Sequence, residues 1–214
     1  DSDRLEGTLY ELFQAAKPSA ELVNRMTLKT RFENISLLPA SITLATLDRV
    51  MGNREGMGLV LKRALLRVQD QFDYVLIDCP PVLGVMMVNA LAACDRILVP
   101  VQTEFLALKG LERMMKTFEI MQRSKREKFR YTIIPTMFDK RTRASLMTLQ
   151  SIKEQYGEAV WNAVIPIDTK FRDASLVHIP PSIYAPGSRG TYAYETLLNH
   201  LDALERQRTQ EVMP

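Results

Sequence analysis

Residues 72–84 read FDYVLIDCPPVLG, a short apolar run that ends in an aspartate and is followed by two prolines. The run YVLID (74–78) is continuous rather than alternating, which is typical of a parallel strand buried on both faces. Pro80 and Pro81 lack amide hydrogens and have a fixed φ, so they end a strand and stiffen the loop after it. The stretch therefore predicts a central strand with Asp78 at its carboxyl end.

Similar apolar runs recur along the chain. We interpret three of them as further strands buried on both faces, RILVPV (96–101), YTIIPT (131–136) and AVIP (163–166), and ISLLPAS (35–41) is a fifth candidate. Longer stretches with helical spacing separate these runs. The alternation predicts an α/β fold, with a mostly parallel sheet and helices on both faces, in one domain over residues 1–214.

Three stretches have the apolar spacing of amphipathic helices, at 57–70, 107–122 and about 190–208. The predicted apolar face of the first contains Leu59, Leu61, Leu65, Leu66 and Val68. That of the second contains Leu108, Leu111, Met115, Phe118 and Met121. That of the third contains Tyr194, Leu197, Leu198, Leu201 and Leu204. We expect these faces to pack against the sheet.

The composition is that of an ordinary globular protein, with 46% hydrophobic and 25% charged residues, which excludes a disordered or fibrous chain. The net charge of +3 is too small to indicate nucleic-acid binding by itself. The two cysteines are too few for a disulfide framework. No apolar run reaches the roughly 20 residues that a membrane span needs. We therefore expect a cytoplasmic protein. The tail ERQRTQEVMP (205–214) lacks an apolar face, so we expect no membrane anchor there.

Asp78 stands where ligands collect in open α/β sheets, outside the carboxyl ends of the strands. A carboxylate there can hold a magnesium ion through water, because magnesium prefers oxygen ligands, keeps several waters and pairs with substrate phosphates. The alternative is that Asp78 caps the following helix, a common role for aspartate. The residues alone leave both interpretations open.

Six stretches of the chain, in order, resemble the ParA/Soj branch of the deviant-Walker P-loop ATPases, the group that includes MinD. They are NISLLPAS, FDYVLIDCPPVLG, NAL with CDRILVPVQTEFLALKGLERM, PTMFDKRT, VIPIDTKFRDAS and GSRGTYAYETLL, and the resemblance runs from about residue 34 to residue 200. The resemblance implies a P-loop NTPase-like fold and an ATPase that uses ATP and Mg²⁺. It also implies a homodimer that forms around two nucleotides.

The resemblance assigns roles to particular residues. Asp78 would be the catalytic Walker B aspartate, which acts on magnesium, and Gly84 would belong to the loop that senses the γ-phosphate. Glu104 would lie at the dimer interface. Two loops would frame the adenine, and they contain Met137, Phe138, Asp139, Pro166, Ile167 and Asp168. For these two loops, ordinary turn chemistry at strand ends stays open as an alternative.

The sequence departs from the family at the phosphate loop, a glycine-rich turn with a lysine whose backbone N–H groups cradle phosphates. No such segment is present. The nearest glycine cluster, Gly52–Gly58, lacks a Gly-Lys-Ser/Thr ending, and we interpret it as a loop. We expect the first strands and the phosphate loop to precede Asp1, and we expect the fragment 1–214 to be inactive although the full-length protein hydrolyses ATP.

Two functions follow from these observations. The first is an ATPase that positions or partitions cargo, either a chromosome or plasmid through a ParB-like partner or a chemotaxis protein cluster through an adaptor. Members of the ParA branch bind DNA through surface arginines, and Arg172 and Arg189 occupy the matching regions, which implies non-specific DNA contact at the nucleoid. Loop arginines that are only solvated, and attachment at a cell pole, are the alternatives. The second function is a non-enzymatic interaction module that keeps the fold without the phosphate loop.

Overall fold

The computed structural model describes residues 7–15, 17–47, 56–123 and 128–212, which form helices and short strands. The chain divides between Asp95 and Arg96 into an amino-terminal and a carboxyl-terminal unit. The interpretation of residues 1–214 as one domain stays a prediction. Residues 1–3 and most of the Gly52–Gly58 cluster lie outside the described residues.

The amino-terminal unit is built mainly from helices. These include α1 (Leu9–Gln14), α2 (Ala20–Met26), α3 (Val60–Leu65) and α4 (Val85–Ala93), with 3-10 turns at Ile42–Thr46, Met57–Leu59 and Gln69–Gln71. Strands β1 (Leu28–Lys29) and β2 (Ser36–Leu37) form a short antiparallel hairpin. The run 35–41 is thus a strand over only two residues. The hydrophobic core of this unit consists of Leu12, Phe13, Val23, Met26, Leu44, Leu47, Val60, Ala64 and Val68.

The prediction that residues 74–78 form a strand buried on both faces is wrong for the described structure. The segment is extended but belongs to no strand, and the Tyr74 and Leu76 side chains are 65% and 87% exposed. A strand becomes buried on both faces only where neighbouring strands and helices cover it. No described strand pairs with this run, so its apolar side chains face outward.

The helix predicted over 57–70 is broken into the 3-10 turn Met57–Leu59, helix α3 and the turn Gln69–Gln71. Its buried face consists of Val60, Leu61, Ala64 and Val68. The predicted face was therefore wrong in part, because Leu59 and Leu66 are exposed. A 3-10 turn has fewer residues per turn than an α-helix, so the buried positions shift around the helix axis at each break. A prediction that assumes one continuous α-helix misses this shift.

A fully buried asparagine side chain joins α3 to α4. The Oδ1 of Asn89 accepts a hydrogen bond from the backbone N–H of Leu61 at 3.0 Å. The Nδ2 donates to the carbonyl oxygens of Met57 and Val85 at 2.7 and 2.8 Å. The first N–H groups of a helix have no partner within that helix, so Asn89 caps α3 from a neighbouring element.

The carboxyl-terminal unit contains the parallel sheet. Strands β3 (Ile97–Gln102) and β4 (Tyr131–Thr136) pair in parallel, in register from Ile97–Tyr131 to Gln102–Thr136. Parallel bridges from Ile133 to Val160 and from Phe138 to Pro166 place the segment 160–166 along the other edge of β4. β4 is therefore a central strand, buried from Thr132 to Pro135 as predicted. The prediction that 96–101 is buried on both faces is wrong, because β3 alternates between exposed and covered residues. The run 163–166 forms a single bridge at Pro166 and not the predicted strand.

Helices surround this sheet. They are α5 (Phe105–Gln122), α6 (Arg143–Tyr156), α7 (Lys170–Leu176), α8 (Pro181–Tyr184) and α9 (Arg189–Val212). The predicted face of α5 is confirmed at Leu108, Leu111, Met115 and Phe118, which are buried. A second core joins the sheet to α9 through Ile134, Trp161, Ile165, Ala193 and Leu197. On α9, Tyr194 and Leu198 are exposed, contrary to prediction. None of the described helices is long and apolar enough to cross a bilayer.

Candidate functional site

The two loops predicted to frame an adenine lie side by side at the carboxyl edge of the sheet. The backbone N–H of Phe138 donates to the carbonyl of Ile165 at 3.0 Å, and the N–H of Ile167 donates back to the carbonyl of Phe138 at 3.1 Å. These two bonds form the parallel bridge between Phe138 and Pro166. The structure thus brings together residues 137–139 and 166–168, which are far apart in sequence.

Apolar side chains and a strained backbone mark this edge. Met137 is half exposed and has a φ of 51°, in the left-handed region that residues other than glycine rarely adopt. Ile167 is also exposed. Strain of this kind persists where surrounding contacts enforce it and is concentrated at ligand-binding sites. Two exposed apolar side chains beside the backbone of paired loops fit a flat aromatic base such as adenine.

Asp139 is engaged by a neighbour in its own turn. The guanidinium of Arg141 donates to both carboxylate oxygens of Asp139, from Nε at 2.9 Å and from Nη2 at 2.7 Å. The backbone N–H of Arg141 donates to the same carboxylate at 3.0 Å. These hydrogen bonds lower the pKa of Asp139 to about 2, so the carboxylate stays ionised at neutral pH and holds the turn.

Asp168 caps the long helix α9 from outside. Its Oδ2 accepts a hydrogen bond from the backbone N–H of Gly190 at 2.8 Å, and its Oδ1 accepts one from the N–H of Lys170 at 3.0 Å. The Gly190 hydrogen bond is the largest cause of the lowered pKa of Asp168. A negative charge is favourable at this end of a helix. The positive charge of Arg189 also lowers the pKa of both Asp139 and Asp168.

The close approach at Gly190 yields a test of the local packing. Gly190→Ala should destabilise the protein by about 2 kcal/mol, because a Cβ added there would lie 2.1 Å from Cε2 of Phe171. The Phe171 ring packs against Tyr194, with ring centroids 5.6 Å apart, so the Phe171 ring has little room to move away from the added methyl group. Urea unfolding measures the change. Gly187→Ala is the matched control, since a Cβ there meets no described atom within 4 Å; equal losses in the two variants would contradict the packing argument.

Asp78 belongs to the amino-terminal unit and is exposed. The following helix, α4, has Gly84 and not Asp78 as its N-cap residue, so the capping interpretation is wrong. The Asp78 carboxylate makes no hydrogen bond or ion pair with another described residue. Burial raises the pKa of the adjacent Cys79 thiol, and the charge of Asp78 raises it further. A free carboxylate after an extended segment fits a water-mediated magnesium contact.

A metal site can also be made by several side chains together. Among the described residues, no group of three or more His, Cys, Asp or Glu side chains could hold a metal ion. Magnesium bound with nucleotides needs only one or two carboxylates besides water and phosphate oxygens. A single carboxylate at position 78 is therefore compatible with Mg²⁺ bound with ATP.

Glu104 is the N-cap residue of α5, and its side chain makes no capping hydrogen bond. Phe105 and Leu106 follow it and are 65% and 76% exposed. The segment Glu104–Leu106 is thus an open apolar surface beside a carboxylate. Arg172 on α7 and Arg189 at the start of α9 are both exposed.

Sequence reasoning missed three buried polar residues. Asn89 links α3 to α4, and Thr103 and Ser145 contact each other between β3 and α6. Asn89 carries a visible signal, since it is the one polar residue in the apolar helix VMMVNALAA. Thr103 and Ser145 carry none, because both residue types are common at strand and helix ends.

The parallel strands, their surrounding helices and the loops at the carboxyl edge define an α/β protein with a P-loop NTPase-like sheet, which confirms the predicted fold class. The AAA domain family matches residues 1–131. The sporulation initiation inhibitor protein Soj of Bacillus subtilis is 33% identical over 175 residues, which cover 81% of this chain and 69% of that protein. The chromosome partitioning protein ParA of Caulobacter vibrioides is 31% identical, over 94% of this chain and 75% of its own length.

The chain belongs to the ParA/Soj family of P-loop ATPases. A similar solved structure is that of cobyrinic acid a,c-diamide synthase from Mycobacterium smegmatis with bound ADP and magnesium. It superposes with a TM-score of 0.74 at 29% identity, covering 94% of this chain and 75% of that one. The sequence resemblance to the family is thereby confirmed, whereas the roles of individual residues stay predictions.

Proposed function

We propose that the protein is an ATPase that partitions or positions intracellular cargo through ATP-dependent dimerisation. The observation that carries this proposal is the bridge between Phe138 and Pro166, which sets two loops together at the carboxyl edge of the sheet. In open α/β sheets this edge is where nucleotides bind. The similarity to the chromosome partitioning protein ParA of Caulobacter vibrioides supports the same activity.

Residues of each unit have a separate part in the proposed function. Met137 and Ile167 offer apolar contact to the adenine, and the fixed turns that contain Phe138, Asp139, Pro166 and Asp168 hold these two side chains in place. Asp78 would orient the water shell of a magnesium ion. Bound Mg²⁺ would neutralise charge on the transferred phosphate.

Self-association is the second part of the proposal. Phe105 and Leu106 expose apolar surface next to Glu104, and a homodimer would bury it. Light scattering of the protein expressed from its complete gene tests this. We expect a monomer with ADP and a dimer with magnesium and a slowly hydrolysed ATP analogue. A protein that binds no nucleotide and stays monomeric would favour the non-enzymatic interaction module.

For the cargo, we propose a chromosome or plasmid that is reached through a ParB-like adaptor, with the dimer held on the nucleoid by non-specific DNA contacts. The exposed Arg172 and Arg189 supply positive charge, and a dimer doubles that charge. Non-specific affinity grows with the number of phosphates neutralised. Cytoplasmic attachment to a polar chemotaxis cluster is the outcome expected if these contacts are absent.

Arg172→Glu should weaken the binding of non-specific duplex by the ATP-bound dimer and reduce the salt-dependence slope by roughly one for each lost contact. Gel shifts at several salt concentrations measure it. Arg113→Glu, an exposed position on α5, has the same charge change and is the control. Arg189→Glu should act similarly, but it also removes the charge that lowers the pKa of Asp139 and Asp168, so nucleotide affinity must be measured beside it. Wild-type protein that shows no salt-sensitive binding would contradict the DNA assignment.

A further inference from the structure

A pair of buried hydroxyl groups connects two segments of the proposed site. Thr103 and Ser145 are 5% and 4% exposed, and their side-chain oxygens lie 2.5 Å apart. Thr103 is the first residue after β3 and directly precedes Glu104. Ser145 lies in the first turn of α6. We call this pair the hydroxyl bridge.

Each end of the hydroxyl bridge is hydrogen-bonded to the backbone. The N–H of Asp139 donates to the Oγ of Ser145 at 3.1 Å. The Oγ1 of Thr103 donates to the carbonyl of Thr136 at 3.4 Å, and the N–H of Thr103 donates to the same oxygen at 3.0 Å. The bridge therefore reaches both sides of the Met137–Asp139 loop.

The hydroxyl bridge is continuous with the backbone at both ends. Ser145 accepts a hydrogen bond from the Asp139 N–H, and Thr103 contacts the Thr136 carbonyl. Between these ends, either hydroxyl can donate to the other, because each has one proton and two acceptor lone pairs. The hydrogen bonds thus run without a break from the Asp139 N–H to the Thr136 carbonyl, and each member depends on its neighbour.

We propose that the hydroxyl bridge couples nucleotide binding at Met137–Asp139 to self-association at Glu104–Leu106; this inference rests on the proposed function. A shift of the Asp139 backbone must move the Ser145 hydroxyl or leave a buried polar group without a partner, which is unfavourable. Since Thr103 is adjacent to Glu104, the same shift reorients the start of the exposed segment. Thr103 and Ser145 act here as positioning residues.

The test compares proteins expressed from the complete gene. Thr103→Val keeps the side-chain shape and removes the hydroxyl, Ser145→Ala removes the other hydroxyl, and Thr103→Ser restores a hydroxyl. Thr148→Val is the control. Thr148 is buried on α6, as Ser145 is, and makes no side-chain hydrogen bond with another described residue. Sedimentation gives the dimer Kd with and without magnesium and a slowly hydrolysed ATP analogue, and fluorescence titration gives the nucleotide Kd.

Nucleotide should lower the dimer Kd of the wild type. We expect the ratio of the dimer Kd without nucleotide to that with nucleotide to be about tenfold smaller in Thr103→Val and in Ser145→Ala. The double variant should lose no more than either single one, since both break the same chain. Dimerisation without nucleotide should be unchanged, and Thr103→Ser should restore the wild-type response. Tightening in Thr103→Val that equals that of Thr148→Val would overturn the inference.

Failure of the proposed function is recognised separately. If the wild-type protein does not dimerise with nucleotide, the proposed function fails. Hydrogen exchange of the nucleotide-free protein then tests whether Thr103 is linked to the Asp139 backbone through the hydroxyl bridge. In that experiment Thr103→Val should speed exchange of the Asp139 amide, which the substituted side chain does not itself contact, while Thr148→Val should not. Unchanged exchange at Asp139 would overturn the inference whatever the nucleotide result.

Discussion

If the proposed function is right, Asp78→Asn should lower the rate of magnesium-dependent ATP hydrolysis by about 10- to 100-fold in the protein expressed from its complete gene. An amide has no charge with which to orient the water shell of the metal, although it has nearly the shape of the carboxylate. Because the Asp78 side chain has no hydrogen bond or ion pair with another described residue, the substitution should leave the fold intact. Phosphate release at saturating ATP measures the effect.

The control for this experiment is Asp73→Asn. Asp73 is exposed and lies five positions upstream, so the variant has the same change of charge outside the proposed site. Its turnover should match that of the wild type. Wild-type turnover in Asp78→Asn would assign Asp78 no part in hydrolysis, and unfolding of that variant would show a structural role instead.

Asn89→Ala should reduce the free energy of unfolding by about 3 kcal/mol, more than Gly190→Ala. The Asn89 side chain is fully buried and satisfies one backbone N–H and two carbonyl oxygens, those of Leu61, Met57 and Val85. Alanine would remove this partner from the Leu61 N–H and the Met57 carbonyl, whereas the Val85 carbonyl keeps the backbone N–H of residue 89, four positions on in α4. Urea denaturation followed by circular dichroism measures the loss.

Asn199→Ala serves as the matched control, since Asn199 is exposed on α9 and should change stability by no more than about 0.5 kcal/mol. An Asn89→Ala variant as stable as this control would mean that water replaces the side chain. If unfolding of the Asn89→Ala variant becomes less cooperative only in the amino-terminal unit, the structural role of Asn89 is supported, because all three of its backbone partners lie in that unit.

Sequence patterns predicted the fold where local periodicity and burial agree. The central strand β4 and the buried face of α5 are confirmed because each is covered on the sides that its apolar residues indicate. The run 74–78 has the same pattern as β4, yet it is exposed. The difference lies in neighbouring strands, which no local pattern contains. The 3-10 turns on either side of α3 also escaped prediction, since the apolar spacing over 57–70 is that of one continuous helix.

The positions of the candidate loops followed from the strand ends, but their hydrogen bonds did not. The bonds that hold Asn89 and the hydroxyl bridge join residues 28 and 42 positions apart. Such pairs depend on which side chains the folded topology brings within about 3 Å. Asp168 was predicted at the nucleotide loop, and its second contact as the cap of α9 became visible only in the structure.

Photolabelling tests the nucleotide assignment most directly. The protein expressed from its complete gene is irradiated with 8-azido-ATP and magnesium, and labelled peptides are identified by mass spectrometry. We predict label on the segments 137–139 and 166–168, and its loss when unlabelled ATP competes. Competed label confined to other segments, or no competed label in a protein that is shown to be folded, would contradict a nucleotide site at this edge of the sheet.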